Sequence, residues 1–144
     1  MSRLLRGIIA AAVVVLIIAG IWQWREYGTK QDLRDDALLY FDEEDYSKTI
    51  QYLESALDRH SLFSGRLNHD MTCYIAESYY QLEDYEEAEA IYDKLIASDS
   101  KEPRYYQLKG RCARDAGDYK RAMDIYSQGW EATEDSMFLK DICD

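Results

Sequence analysis

Arg104, Gln107, Arg111 and Arg114 follow one another at spacings of 3, 4 and 3, which places them on one stripe of a helix. Three guanidinium groups on one face can grip carboxylates in bidentate fashion. They stand out because the chain is acidic, with 28 Asp and Glu against 17 Lys and Arg and a net charge of −11. The plainer reading of this stripe is a solvated helix face whose charges pair with Glu77, Asp115 or Asp118. His69, Cys73 and Glu77 lie four residues apart in turn and would also share a helix face. Mixed ligands on one helix without a second pair make a poor metal centre, so this set reads as polar lining, and no metal or cofactor is expected. Catalysis has little to rest on. The chain has two histidines and no nucleophile elbow, phosphate loop or H-E-x-x-H pattern. Acid pairs such as Asp35-Asp36 and Glu43-Glu44 are surface or turn charges without an enclosed site. The chain is not expected to be an enzyme.

All 28 acids, but only 15 of the 17 basic residues, lie from residue 25 onward. A domain of that charge repels phosphate backbones, so nucleic acid is not an expected partner. Cys73, Cys112 and Cys143 are odd in number and lack C-x-x-C spacing, which argues against a disulfide framework.

The elements that would position these side chains are written in a repeated pattern. Glu83-Asp84-Tyr85-Glu86-Glu87-Ala88 and Gly117-Asp118-Tyr119-Lys120-Arg121-Ala122 are close copies, and Glu44-Asp45-Tyr46-Ser47-Lys48-Thr49 is a weaker one. The tyrosines are 39 and 34 residues apart, a period that marks stacked repeats rather than a closed enzyme fold. Apolar residues at helical spacing flank each copy, as in Ile75, Ala76, Tyr79 and Tyr80, then Ala88, Ile91, Tyr92 and Leu95. Each Asp stands where a carboxylate can accept backbone N–H bonds at the start of a second helix. Gly117 suits the left-handed turn before it.

These residues resemble the tetratricopeptide repeat (TPR) family over residues 30–136, in units of about 30–63, 69–102 and 103–136. Ala76, Tyr79, Ala88 and Tyr92 take the small and aromatic positions of the second unit. Tyr106, Gly110, Ala122 and Tyr126 do so in the third, and Leu33, Ala37, Tyr40 and Ala56 in the first. The chain departs from the pattern at Thr49, Lys109, Ala113 and Gly129. The resemblance implies an all-α superhelix of three antiparallel helix pairs with a concave groove lined by the first helix of each pair. Carried onto this chain, the groove would hold Arg34, Leu38, Phe41 and Asp42, then Asp70, Cys73, Glu77, Tyr80 and Gln81, then Arg104, Gln107, Arg111, Arg114 and Asp115. Of these, Arg34, Leu38, Phe41, Glu77, Tyr80, Arg104, Gln107, Arg111 and Arg114 are the candidate peptide- or protein-binding residues. Some members of the family hold chaperone C-termini through a carboxylate clamp. Leu38, Tyr74 and Leu108 stand at three of its polar positions here, which argues against that ligand.

Five extra residues between the first two units fall within 61–68. Leu62, Phe63 and Leu67 there would tuck against neighbouring helices or form an exposed patch. Residues 137–144 read as a short helical capping segment, with Ser136 as its N-cap, in which Met137, Phe138, Leu139 and Ile142 cover the last repeat or await a partner.

Ahead of the repeats, residues 1–6 form a basic tail and 7–24 an apolar segment suited to a transmembrane helix. Trp22 and Trp24 lie where interfacial aromatics belong. Ile17 and Ile18 block the small-x-small pattern that signal cleavage needs, so an uncleaved anchor is expected, followed by a linker over 25–29. The short basic tail favours a bacterial inner-membrane signal anchor with extracytoplasmic repeats, although positive charges on the two flanks are nearly balanced. The expected function is a membrane-anchored adaptor or scaffold that binds a peptide or protein segment, with protein partners that include a multisubunit membrane complex. The alternatives are an accessory subunit of an envelope secretion assembly and a structural homo-oligomer.

Overall fold

A computed structural model describes residues 3–62 and 64–143, with side chains for 7–62 and 64–140. Phe63 and Ile142, considered above as cover or patch, lie outside the described residues or side chains. Seven helices follow in order: α1 (Arg3–Asp42), α2 (Tyr46–Leu57), α3 (Gly65–Gln81), α4 (Tyr85–Ser98), α5 (Pro103–Asp115), α6 (Tyr119–Thr133) and α7 (Met137–Cys143). Each helix packs on the next in sequence, and α1 also touches α3. This is the near-neighbour stacking of a repeat array.

The turns inside the three pairs are built alike. Glu44, Glu83 and Gly117 have φ of 61°, 62° and 88°. In each case two backbone N–H groups reach back to the preceding helix: Glu44 and Asp45 to Phe41 and Tyr40, Glu83 and Asp84 to Tyr80 and Tyr79, Gly117 and Asp118 to Arg114 and Ala113. These bonds satisfy carbonyls that a helix end leaves orphaned. The next residue starts the following helix, since the carboxylates of Asp45, Asp84 and Asp118 accept from the N–H of Lys48, Glu87 and Arg121. Glutamate is not a natural occupant of the left-handed region, so the motif holds in the first two turns through its bonds rather than its residue type.

The core has two parts. The larger one joins Ala37, Leu53, Ala56, Met71, Ala76, Tyr92 and Cys112, and the smaller gathers Tyr106, Ala113, Tyr126 and Phe138 at the C-terminal end. Departures from the repeat pattern are accommodated locally. The buried hydroxyl of Thr49 donates to the Asp45 carbonyl at 3.1 Å, and Lys109 reaches Asp93 at 2.6 Å. Gly129 leaves room for a ring, because a Cβ there would lie 2.6 Å from Phe138 Cζ. Phe138 is fully buried while Leu139 remains 47% exposed, so the former covers the last repeat. The cap of α7 is Asp135, whose carboxylate accepts from the Met137 N–H.

Helix α1 is the unexpected element. Its 40 residues span about 60 Å and run through 25–29, the stretch read as a linker, directly into the first repeat. Any linking there is done by rigid helix. The apolar part of α1 is long enough to cross a membrane, and none of its apolar window is buried by the protein. The five extra residues are likewise partly helical, because α3 begins at Gly65. Leu67 packs against the core, whereas Leu62 is 66% exposed.

Glu89 on α4 is only 4% exposed, and its carboxylate lies 2.6 Å from the Arg121 guanidinium on α6. Burial raises its pKa above the ordinary glutamate value despite that contact. The folded state thus holds the proton more tightly than the unfolded chain, and this group's contribution to stability falls as pH rises through the ordinary glutamate range and above it. Stability of the wild-type chain relative to Glu89→Gln should therefore decline across that interval in denaturant titrations. A difference that instead grows with pH would mean that Arg121 outweighs burial.

Candidate functional site

A groove of about 600 Å³ opens along α1, α3 and α5. The extra turn at the start of α3 brings Arg66 to its rim, and successive turns present His69, Asp70, Cys73, Tyr74 and Glu77. Pro103 at the first position of α5 fixes that helix's entry, so that Arg104, Tyr105 and Leu108 face the opening, with Phe41 of α1 and Tyr92 of α4 completing the wall. Aromatic faces dominate its apolar surface: Phe41 meets Tyr74 edge-on at 5.2 Å between centroids.

The groove's carboxylates are already engaged. Asp70 accepts from Arg34 Nε and Nη2 at 2.9 and 2.6 Å. Glu77 accepts from Gln81 at 2.8 Å and lies 3.9 Å from Arg111. Glu102 caps α5 by accepting from the Arg104 N–H. Arg66 and Arg104, by contrast, form no ion pair among the described residues. The guanidinium groups with free hydrogen-bonding capacity at the groove are therefore those of Arg66 and Arg104. His69 Nε2 and the Tyr105 hydroxyl share a 2.7 Å hydrogen bond, with Cys73 Sγ 3.8 Å from the same nitrogen. Burial pushes the Cys73 thiol up, so it stays protonated and its part is that of a small polar surface. No group of three or more His, Cys, Asp or Glu side chains among the described residues is placed to hold a metal ion.

The residues expected to form the site divide into three sets. Phe41, Glu77 and Arg104 line the groove. Arg34 stands behind it, bound to Asp70, and Leu38 and Gln107 are half-buried on α1 and α5. Tyr80, Arg111 and Arg114 form a separate polar cluster between α3 and α5. There Arg111 stacks over the Tyr80 ring at 4.1 Å, the Tyr80 hydroxyl donates to Asp115, and Arg114 also reaches Asp115, at 2.9 Å. His69 lines the groove as the polar-lining reading of its set implies, whereas Arg66, Tyr74, Tyr92, Tyr105 and Leu108 are not among the candidate residues. Arg66 lies in the extra residues outside the repeat register and Tyr92 on a second helix, so the first-helix rule passes over both.

The comparisons with known proteins bear on the family and the fold. Protein-family models described as tetratricopeptide repeat match residues 40–112 and, separately, 103–135. The chain belongs to the tetratricopeptide repeat family. No curated protein matches the sequence. Among solved structures, the TPR domain of Sgt2 from Aspergillus fumigatus is 19% identical, with a TM-score of 0.59 over 79% of this chain and 74% of that one. The first TPR of Spaghetti (RPAP3), bound to the HSP90 peptide SRMEEVD, is 16% identical, with a TM-score of 0.60 over 78% and 86%. The type III secretion translocator chaperone SycD of Yersinia enterocolitica is 14% identical, with a TM-score of 0.61 over 81% and 84%. At these identities the likeness is one of fold. The peptide belongs to the RPAP3 structure and the chaperone role to SycD.

Proposed function

We propose that this TPR protein is a single-pass membrane adaptor whose groove holds an acidic or carboxylate-terminated segment of a partner protein. One observation carries the reading: the groove's own acids are engaged by Arg34, Gln81, Arg111 and a helix N-terminus, while Arg66 and Arg104 on its lining form no ion pair among the described residues. Phe41, Tyr74, Tyr92 and Leu108 offer apolar contacts between and beyond those charges, so an extended segment with alternating acidic and apolar residues fits the lining. The RPAP3 domain's SRMEEVD peptide is itself acidic. In this chain Tyr74 and Leu108 take the place of clamp polar groups, which favours recognition by two guanidiniums over a five-residue clamp. The apolar part of α1, uncovered by protein, supports a membrane anchor; the short basic tail ahead of it favours an inner-membrane placement with the array on the extracytoplasmic side, and anchoring raises the local concentration of a modest binding site.

Fluorescence anisotropy with peptides alternating Glu and Leu, beside Lys and Leu counterparts, tests the groove. The acidic peptides should bind, more weakly at high salt. Arg66→Glu/Arg104→Glu should weaken binding roughly 10- to 100-fold, the equivalent of losing one or two charged hydrogen bonds. Equal binding of both peptide types, or binding indifferent to the double substitution, would sink this assignment.

A further inference from the structure

Beyond the groove, a polar seam fixes the loop after α2 to one face of α1. Gln23, Glu26 and Lys30 lie at spacings of 3 and 4, on one side of the helix. Gln23 Oε1 accepts from the Leu62 N–H at 3.0 Å. Glu26 pairs with Arg59 at 3.1 Å. Lys30, 1% exposed, donates to the Arg59 carbonyl at 2.8 Å, where it satisfies backbone just past the end of α2. The loop is therefore held level with residue 23 of α1.

That level matters. The uninterrupted apolar stretch from Gly7 to Trp22 rises about 24 Å, a little less than a hydrocarbon core of about 30 Å. Trp22, Trp24 and the loop beside them thus fall at the boundary between acyl chains and headgroups, where aromatic residues are favoured. Leu62 is 66% exposed there and Trp24 80% exposed. Ala19, Gly20, Trp22, Trp24, Tyr27 and Leu62 surround an open apolar concavity of about 610 Å³. An exposed leucine hydrogen-bonded through its backbone beside two tryptophans is costly in water and favourable in a lipid interface.

We propose that the loop at Ser61–Leu62 is a second membrane contact, with lipid filling the concavity between it and α1. The inference rests on α1 spanning the bilayer. One helix alone leaves rotation and tilt to its neighbours. A lateral contact pinned by Gln23, Glu26 and Lys30 fixes both, and because α1 continues unbroken into the first repeat, the groove is presented at a set height and angle.

The test uses the full chain in phosphatidylcholine vesicles containing an alkyne-tagged phosphatidylcholine, with a diazirine-bearing leucine analogue replacing Leu16, Leu62 or Leu82. All three positions are exposed, so folding is not at issue. Leu16 is mid-span. Leu82 closes α3, whose 17 residues carry it about 25 Å from the loop end. Positions 16 and 62 should take up lipid tag several-fold above position 82. Tagging at 16 but not at 62 would overturn the loop contact and leave the span intact. Position 62 crosslinking to another copy of the chain would overturn it too, and no tagging at 16 would overturn the span itself.

Discussion

Phe138→Ala lowers the unfolding free energy by about 3–5 kcal/mol, the range for removing a large aromatic from a closed site. Phe138 is fully buried although it belongs to a helix of only seven residues. Its ring occupies the space that Gly129 leaves open, close to the backbone of α6 and to Tyr106 Cβ. Without the ring, α7 has little to hold it, and Tyr106, Tyr126 and Trp130 lose their cover. Because stability in a repeat array is a sum of neighbour terms, the loss should be local. Amide hydrogen exchange should quicken in α5 and α6 well before α2 responds, whereas Phe138→Leu should recover most of the difference. A change below about 1 kcal/mol, or exchange that quickens uniformly, would show that α7 does not cap the array. The same burial bears on self-association, since an oligomer joined through this segment would have to use Leu139 and leave Phe138 where it is.

The three helix pairs were legible because each depends on a few local residues. Tyr46, Tyr85 and Tyr119 set the period, and Asp45, Asp84 and Asp118 mark the start of each second helix. What escaped depends on distant partners. Gly129 looked like a defect in the repeat pattern until Phe138 was seen against it, nine residues later and across a turn. The arginine stripe on α5 reads as one helical face, and its plainer reading, charges paired with Glu77 or Asp115, is what Arg111 and Arg114 follow, while Arg104 is left at the groove. Spacing reports which side chains share a face and not which of them a neighbouring acid leaves free. Residues 25–29 carry Gly28 and a shift from apolar to charged residues, the ordinary marks of a boundary. They remain helical because the seam of Gln23, Glu26 and Lys30 to the loop at 59–62 holds that face in place.

The unbroken α1 ties the membrane question to the groove question. A TPR domain on a flexible tether would sample many orientations. Here the first repeat's leading helix and the apolar segment are one rod, so under the proposed anchoring a change in how the rod sits in the bilayer would move Phe41 and the groove with it. The short reach of a three-pair array is then compensated by restricted orientation, which lowers the entropy lost when a partner docks.

Gly110→Ala destabilises the third pair by a net of up to about 2 kcal/mol, against the usual benefit of that substitution in a helix. On propensity alone, alanine gains about 1 kcal/mol over glycine in mid-helix. At position 110, however, a Cβ would lie 2.2 Å from Tyr126 Cε1, 2.6 Å from Cδ1 and 2.8 Å from Cζ. The obstruction is the body of a ring that is 3% exposed, not the tip of a flexible chain. A shift of a few tenths of an ångström does not relieve it. Either α5 and α6 separate or Tyr126 leaves its rotamer, and overpacking of this kind costs about 1–3 kcal/mol and occasionally more. Gly28→Ala is the control: nothing lies within 4 Å of its Cβ position inside α1, so the same exchange there should leave stability unchanged or raise it by up to about 1 kcal/mol. Urea denaturation of the two variants decides between propensity and packing. If both variants gained stability, α5 and α6 would have to lie further apart than the Gly110–Tyr126 contact allows, and the third pair's spacing would need to be redrawn.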